Sequence, residues 1–173
     1  PENEKMFTVP EANWMHSVYG EREEDSFKGL PEPKGKVARI TCFVDSGLHH
    51  CRVTGIASTG ILLFVNQTPA DWSANKQSTV ETSTYGSEFV AARAAVDKTL
   101  DLQYTLRAMG VPVEEPSWML GDNHSVVISS TIPHSTMSKR WVALSYHRVR
   151  CCIAHGLIRF CHVDTKNNVS DIL

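Results

Sequence analysis

The chain has 173 residues, 42% hydrophobic and 21% charged, enough for one domain that buries about two-thirds of its unfolded surface without staples. A formal net charge of −2 excludes a globally basic nucleic-acid binder, so any attraction to phosphate must come from local patches. No apolar run approaches a membrane span and no secretory signal opens the chain, so we expect an intracellular protein, cytoplasmic or nuclear.

Residues 1–36 hold many charges and Pro1, Pro10, Pro31 and Pro33, with no sustained period. This predicts an extended arm, with Trp14, Met15 and Tyr19 as anchors onto another surface. A domain over 37–173 follows. Val37 to Val44 is β-branched and apolar, a buried strand that ends at Asp45. Thr59 to Val65 predicts a second strand, Asn66-Gln67-Thr68-Pro69 a turn, and Asp71 to Ala74 a third strand, together an antiparallel meander. A long helix is predicted over Thr84 to Met109, capped by Ser83 or Thr84 and striped by Phe89, Ala92, Val96, Leu100 and Leu106. Gly110 and Pro112 stop it. Trp118-Met119-Leu120 reads as a short strand running into Asp122, and Ser125 to Ser130 as a short helix. Val142 to Ala154 is another helix and Leu157 to Val163 the last strand. Asn168 starts a final helix still running at Leu173, which suggests a piece of a longer polypeptide. The order predicts an α/β fold: a mixed five-stranded sheet, three antiparallel strands then two parallel, flanked by helices.

Four acids stand where a strand ends or a helix begins: Asp45, Glu88, Asp122 and Asp171. Carboxylates gathered by a fold repel one another unless a cation neutralises them, and hard oxygen donors suit magnesium or manganese. Taken singly, each acid is better explained as a turn former, a helix cap or a solvated helix residue; only their coincidence points to a metal-dependent phosphodiesterase. Asp71, Asp97, Asp101 and Asp164 lack that support and read as surface or turn residues. His49-His50-Cys51 sets three potential zinc ligands side by side, but neighbours in an extended chain point apart, so a loop is expected. The cysteines (Cys42, Cys51, Cys151, Cys152, Cys161) are odd in number without CxxC spacing and read as reduced thiols. Lys139, Arg140, Arg148 and Arg150 form the best basic patch, either phosphate contacts or solvated helix charges. Trp72 and Trp118 are expected in the core, and packing is the favoured role for Trp141. Neither a Gly-x-Ser-x-Gly elbow nor a phosphate-cradling glycine loop occurs.

Ordered short motifs carry a resemblance. Phe43-Val44-Asp45, Ser73 to Thr84, Ser87-Glu88-Phe89-Val90-Ala91, Gly121-Asp122-Asn123-His124-Ser125, Lys139-Arg140, Tyr146 to Arg150, His162-Val163-Asp164 and Ser170-Asp171-Ile172-Leu173 follow one another from about Ile40 to the end. In that order and spacing the chain resembles the ribonuclease H domain at the end of the polyprotein of copia-type LTR retrotransposons. The arm, mainly through Pro31-Glu32-Pro33-Lys34-Gly35, resembles the tether between polymerase and nuclease. The resemblance implies a ribonuclease H-like fold and two-metal hydrolysis of the RNA strand of an RNA–DNA hybrid, with two Mg2+ or Mn2+ ions held by Asp45, Glu88, Asp122 and Asp171. Asp45 would bridge the ions, Asp122 would hold the one that activates water with Asp171 completing the site, and Glu88 would bind the other and could sense the ribose 2′-OH. Asn123, Lys139, Arg140, His147 and Arg148 would contact substrate, and the polymerase part of the same polyprotein would be a partner. Three positions depart from the family's usual residues: Gly86 replaces a common Glu, Trp141 a common His, and Cys151 a common acid. A non-enzymatic alternative is a catalytically silent module kept for binding or as a structural subunit of a larger protein assembly.

Overall fold

Alternation of apolar with smaller or polar residues makes Ile40–Gly47 (β1) a strand with one fully buried face, Ile40, Cys42 and Val44. The computed structural model describes residues 18–20, 22, 29–47, 55–81, 83–137 and 139–172. β1 pairs antiparallel with Ser58–Val65 (β2), which pairs antiparallel with Thr68–Lys76 (β3). Asn66 turns the second hairpin at φ 58, in the left-handed region that asparagine tolerates better than most residues. On its other edge β1 pairs parallel with Ser117–Gly121 (β4), itself parallel to Ile158–His162 (β5), giving the sheet order β3-β2-β1-β4-β5. The predicted class of sheet, three antiparallel strands then two parallel, is the one found.

Three helices cover one face: Thr84–Ala108 (α1), His124–Thr131 (α2) and Ala143–Ala154 (α3). Phe89, Ala92 and Val96 of α1 pack with Val126, Tyr146, Val149 and Ile153 onto Ile40, Val44, Leu63, Met119 and Phe160 of the sheet. Burying side chains of this size contributes on the order of 2 kcal/mol each, so this face carries the core.

Several boundaries differ from expectation for local reasons. β1 continues past Asp45 to Gly47 because β2 stays paired with it, Asp45 opposite Gly60. β3 is longer than expected, since hairpin pairing carries it to Lys76 despite its polar composition. The helix expected from Val142 begins as a 3-10 turn, Arg140–Val142. The helix expected from Asn168 is instead a pair of 3-10 turns, Thr165–Asn167 and Val169–Ile172. Trp72 is not in the core: β3 is an edge strand, and this ring lies on the face without helices, 64% exposed. Trp118 is half-buried under the Arg159 guanidinium, 4.9 Å away.

Trp14, Met15 and the His49-His50-Cys51 run lie outside the described residues. Of the described arm positions, Tyr19 Oη meets His147 Nδ1 at 3.2 Å and Arg22 pairs with Glu115, which Arg107 also engages. The Lys34 amide donates to the Gly110 carbonyl (2.9 Å), just past the end of α1.

Candidate active site

Asp45 reaches the site from near the end of the central strand. Glu88 comes from the second turn of α1, a helix capped by Ser83, whose Oγ accepts from the Gly86 amide at 3.2 Å. Asp122 follows Gly121, the last residue of β4, where a side chain would press within 3.1 Å of the Phe160 ring. These three elements converge so that one carboxylate oxygen from each of Asp45, Glu88 and Asp122 lies within 4.8 Å of the others.

The electrostatics follow from that crowding. Glu88 is only 7% exposed; burial first, then the neighbouring charges of Asp45 and Asp122, push its pKa up to about 8. Burial and then Asp122 raise Asp45 as well, against a lowering hydrogen bond from the Ser46 backbone, and Asp171 adds a smaller push upward. Such a group of hard oxygen donors, partly removed from water and mutually repelling, has the chemistry that a divalent cation such as Mg2+ or Mn2+ complements.

Asp171 stands apart from the three. It is exposed, in the Val169–Ile172 turn, and with Asp45, Gly60, Ser170 and Lys76 it lines an adjoining cavity of about 300 Å³. Asn168 secures this turn: its Nδ2 donates to the Val44 carbonyl (3.1 Å) and its Oδ1 accepts from Ser170 Oγ (2.6 Å). Asp122 is held in turn by Thr165 Oγ1, which donates to its Oδ2 at 2.9 Å. The Asp122 carbonyl lies 2.9 Å from His162 Nε2, and a carbonyl can only accept, so that nitrogen carries the proton. His124 stands edge-on to His162, centroids 5.4 Å apart.

The expected substrate residues divide. Asn123 caps α2, its Oδ1 accepting from the Val126 amide at 3.2 Å. Arg148 pairs with Asp97 at 2.9 Å, and His147 is engaged by Tyr19. Arg150 leaves the basic patch altogether: it is 3% exposed and donates to the carbonyls of Ser129, Ile132 and Pro133. Lys139 and Arg140 remain toward solvent beside Trp141, whose ring is 63% exposed instead of packed, with Lys139 Nζ 5.7 Å from its centroid. Gly86 has a packing reason: a Cβ there would fall 2.4 Å from Glu81 Oε2, a buried carboxylate oxygen without a hydrogen-bond partner. Sequence alone assigns Thr165, Asn168, Ser170 and Gln77 no role at the site. The Asn168-Val169-Ser170 run carried the one usable signal, since such residues bond to nearby backbone.

The fold is that of ribonuclease H. The chain superposes on the ribonuclease H1 of the halophilic archaeon Halobacterium salinarum with a TM-score of 0.60 at 16% identity, covering 78% of this chain and 93% of that one. It superposes equally on LC11-RNase H1, solved in complex with an RNA/DNA hybrid, with a TM-score of 0.61 at 14% identity, covering 78% and 93%. In sequence it is similar to the retrovirus-related Pol polyprotein from transposon RE2 of Arabidopsis thaliana, 26% identical over 150 residues and 84% of this chain. The chain spans only 10% of that relative's length. No protein-family model matches it.

Proposed function

We propose that this chain is the ribonuclease H domain of a copia-type retroelement polyprotein, an endonuclease that hydrolyses the RNA strand of RNA–DNA hybrids. The observation that carries the reading is the convergence of Asp45, Glu88 and Asp122 within 4.8 Å on a ribonuclease H fold. These three, with Asp171 at the rim of the adjoining cavity, would hold two Mg2+ or Mn2+ ions. When bound, such ions supply an activated water and neutralise the leaving alkoxide. The protein's own part is to present the carboxylates together and to give up the Glu88 proton. Glu88, on the helix face of the site, is the candidate reader of the ribose 2′-OH that separates RNA from DNA. Lys76 and Lys139 with Arg140 supply positive charge for flanking phosphates. The polymerase part of the same polyprotein is the proposed partner, with residues 1–36 as the tether.

The test is cleavage of an end-labelled RNA strand annealed to DNA. We expect cutting with Mg2+ or Mn2+, none with a chelator, and none of the same strand as single-stranded RNA. Asp45→Asn should abolish cutting with its circular dichroism unchanged and cooperative unfolding kept. Normal cleavage by that variant would refute the assigned site. Calorimetry with Mn2+ covers a domain that needs its polymerase to turn over: a protein that binds no ion at millimolar Mn2+ is not this nuclease.

A further inference from the structure

Gln77 leaves β3 and turns its side chain into the interior, where it is 6% exposed. Its Nε2 donates to the Ser87 carbonyl at 2.8 Å and to Thr59 Oγ1 at 3.0 Å, and lies 3.4 Å from Ser46 Oγ. The Ser87 carbonyl can only accept, which fixes the orientation of the amide. Each acceptor adjoins the candidate site. Ser87 precedes Glu88, Ser46 follows Asp45, and Thr59 pairs with Ser46 in the β1–β2 ladder, one residue from the Gly60 that faces Asp45.

We infer that Gln77 is a positioning residue that sets the spacing between Asp45 and Glu88, joining the sheet end to the first turns of α1 through one amide. The inference rests on the nuclease reading above and adds a residue that touches neither substrate nor ion. The body of α1 is held independently by Phe89, Ala92 and Val96 in the core. The backbone of the following turn is tied separately, by Gln77 N donating to the Ala57 carbonyl at 2.8 Å. Removing the amide therefore frees the start of the helix relative to β1 without unpacking the helix. A carboxylate pair whose separation drifts holds cations less well, and partners behind metal ligands are commonly worth about tenfold to a hundredfold in affinity.

The experiment compares Mn2+ affinity by calorimetry, and the Mg2+ dependence of hybrid cleavage, in the wild type, Gln77→Met and Thr59→Val. Methionine keeps the volume and loses the donor; valine removes one acceptor and leaves Gln77 in place. We expect Gln77→Met to bind Mn2+ about tenfold or more weakly, to need correspondingly more Mg2+ for half-maximal cleavage, and to approach the wild-type kcat at saturating Mg2+. Thr59→Val should move both quantities in the same direction by less. Unchanged Mn2+ affinity in both variants, whatever their melting temperatures, would overturn the inference. Should Gln77→Met not fold, Thr59→Val decides alone. A wild type that binds no Mn2+ refutes the nuclease reading itself, a different result from a wild type that binds and a variant that binds equally well.

Discussion

Among the described residues, Glu88 is an acid whose chemistry its surroundings alter strongly. Without a cation it keeps its proton through neutral pH, because burial and two neighbouring acids raise its pKa to about 8 from an ordinary 4.5. The folded state then binds more protons than the unfolded chain between those values, so stability must fall as pH rises across that window. The slope is at most about 1.4 kcal/mol per pH unit from this one group. We expect the chelated protein to melt at progressively lower temperature from about pH 5 to pH 8, and Glu88→Gln to flatten that trend. Added Mn2+ should bind more tightly with rising pH, since the ion takes the place of the proton. A chelated wild type that becomes more stable from pH 5 to 8 would contradict the protonation assignment. Asp45, Glu88 and Asp122, the three acids that converge, could be picked out as candidates because each stands beside a strand end or helix start, whereas Gln77 could not: a glutamine after a polar edge strand reads as surface. Only the folded chain shows three acceptors around its amide.

At the scale of elements, α2 is short and ends without a basic residue or a glycine of its own. Arg150 of α3 closes it, crossing to the carbonyls of Ser129, Ile132 and Pro133 while stacking on Tyr146 with the guanidinium 5.1 Å from the ring centroid. The sequence shows two cations, Arg148 and Arg150, two residues apart and so on opposed sides of one helix, and that a charged side chain can turn inward there depends on where a neighbouring helix leaves its last carbonyls. The five strands and the three packed helices were legible because apolar stretches and stop signals are local, whereas the short polar run from Asn168 gave no such signal and forms 3-10 turns. Trp72 was misplaced because burial of an aromatic on an edge strand depends on what covers the outer face. Arg150→Lys keeps the charge but not the planar fork, so several carbonyls lose their donor. We expect a loss of about 3 kcal/mol in urea unfolding, with Arg148→Lys, on the exposed side, within about 0.5 kcal/mol of wild type. Equal effects of the two would mean that the guanidinium of Arg150 does not hold α2.

Over the whole molecule, electrostatics leave little for a polyanionic substrate to grip. The net charge is −2, the candidate site is itself acidic, and many described cations are already paired: Arg39 with Glu114, Lys98 with Asp71, Arg148 with Asp97, Arg22 and Arg107 with Glu115. With Arg150 buried, we take the cations that reach flanking phosphates, among the described residues, to be Lys76, on the cavity that Asp45 lines, and Lys139 and Arg140, at the start of the turn whose Val142 packs on Gly86. Binding of hybrid should therefore depend on salt only modestly. Three phosphate contacts give a log–log slope of about −3, against the steeper slopes of proteins that neutralise many phosphates. Lys139→Ala or Arg140→Ala should each reduce the magnitude of the slope by about one, and Lys76→Ala likewise. Arg148→Ala should leave it unchanged, since its charge is already spent on Asp97. The measurement is hybrid affinity for Asp45→Asn, which binds without cutting, by fluorescence anisotropy from about 50 to 200 mM salt, with the divalent ion held constant. A slope near −6 in the isolated domain would show that cations beyond these three reach the backbone, and the Lys and Arg residues of the arm, outnumbered there by acids, would be the next place to look.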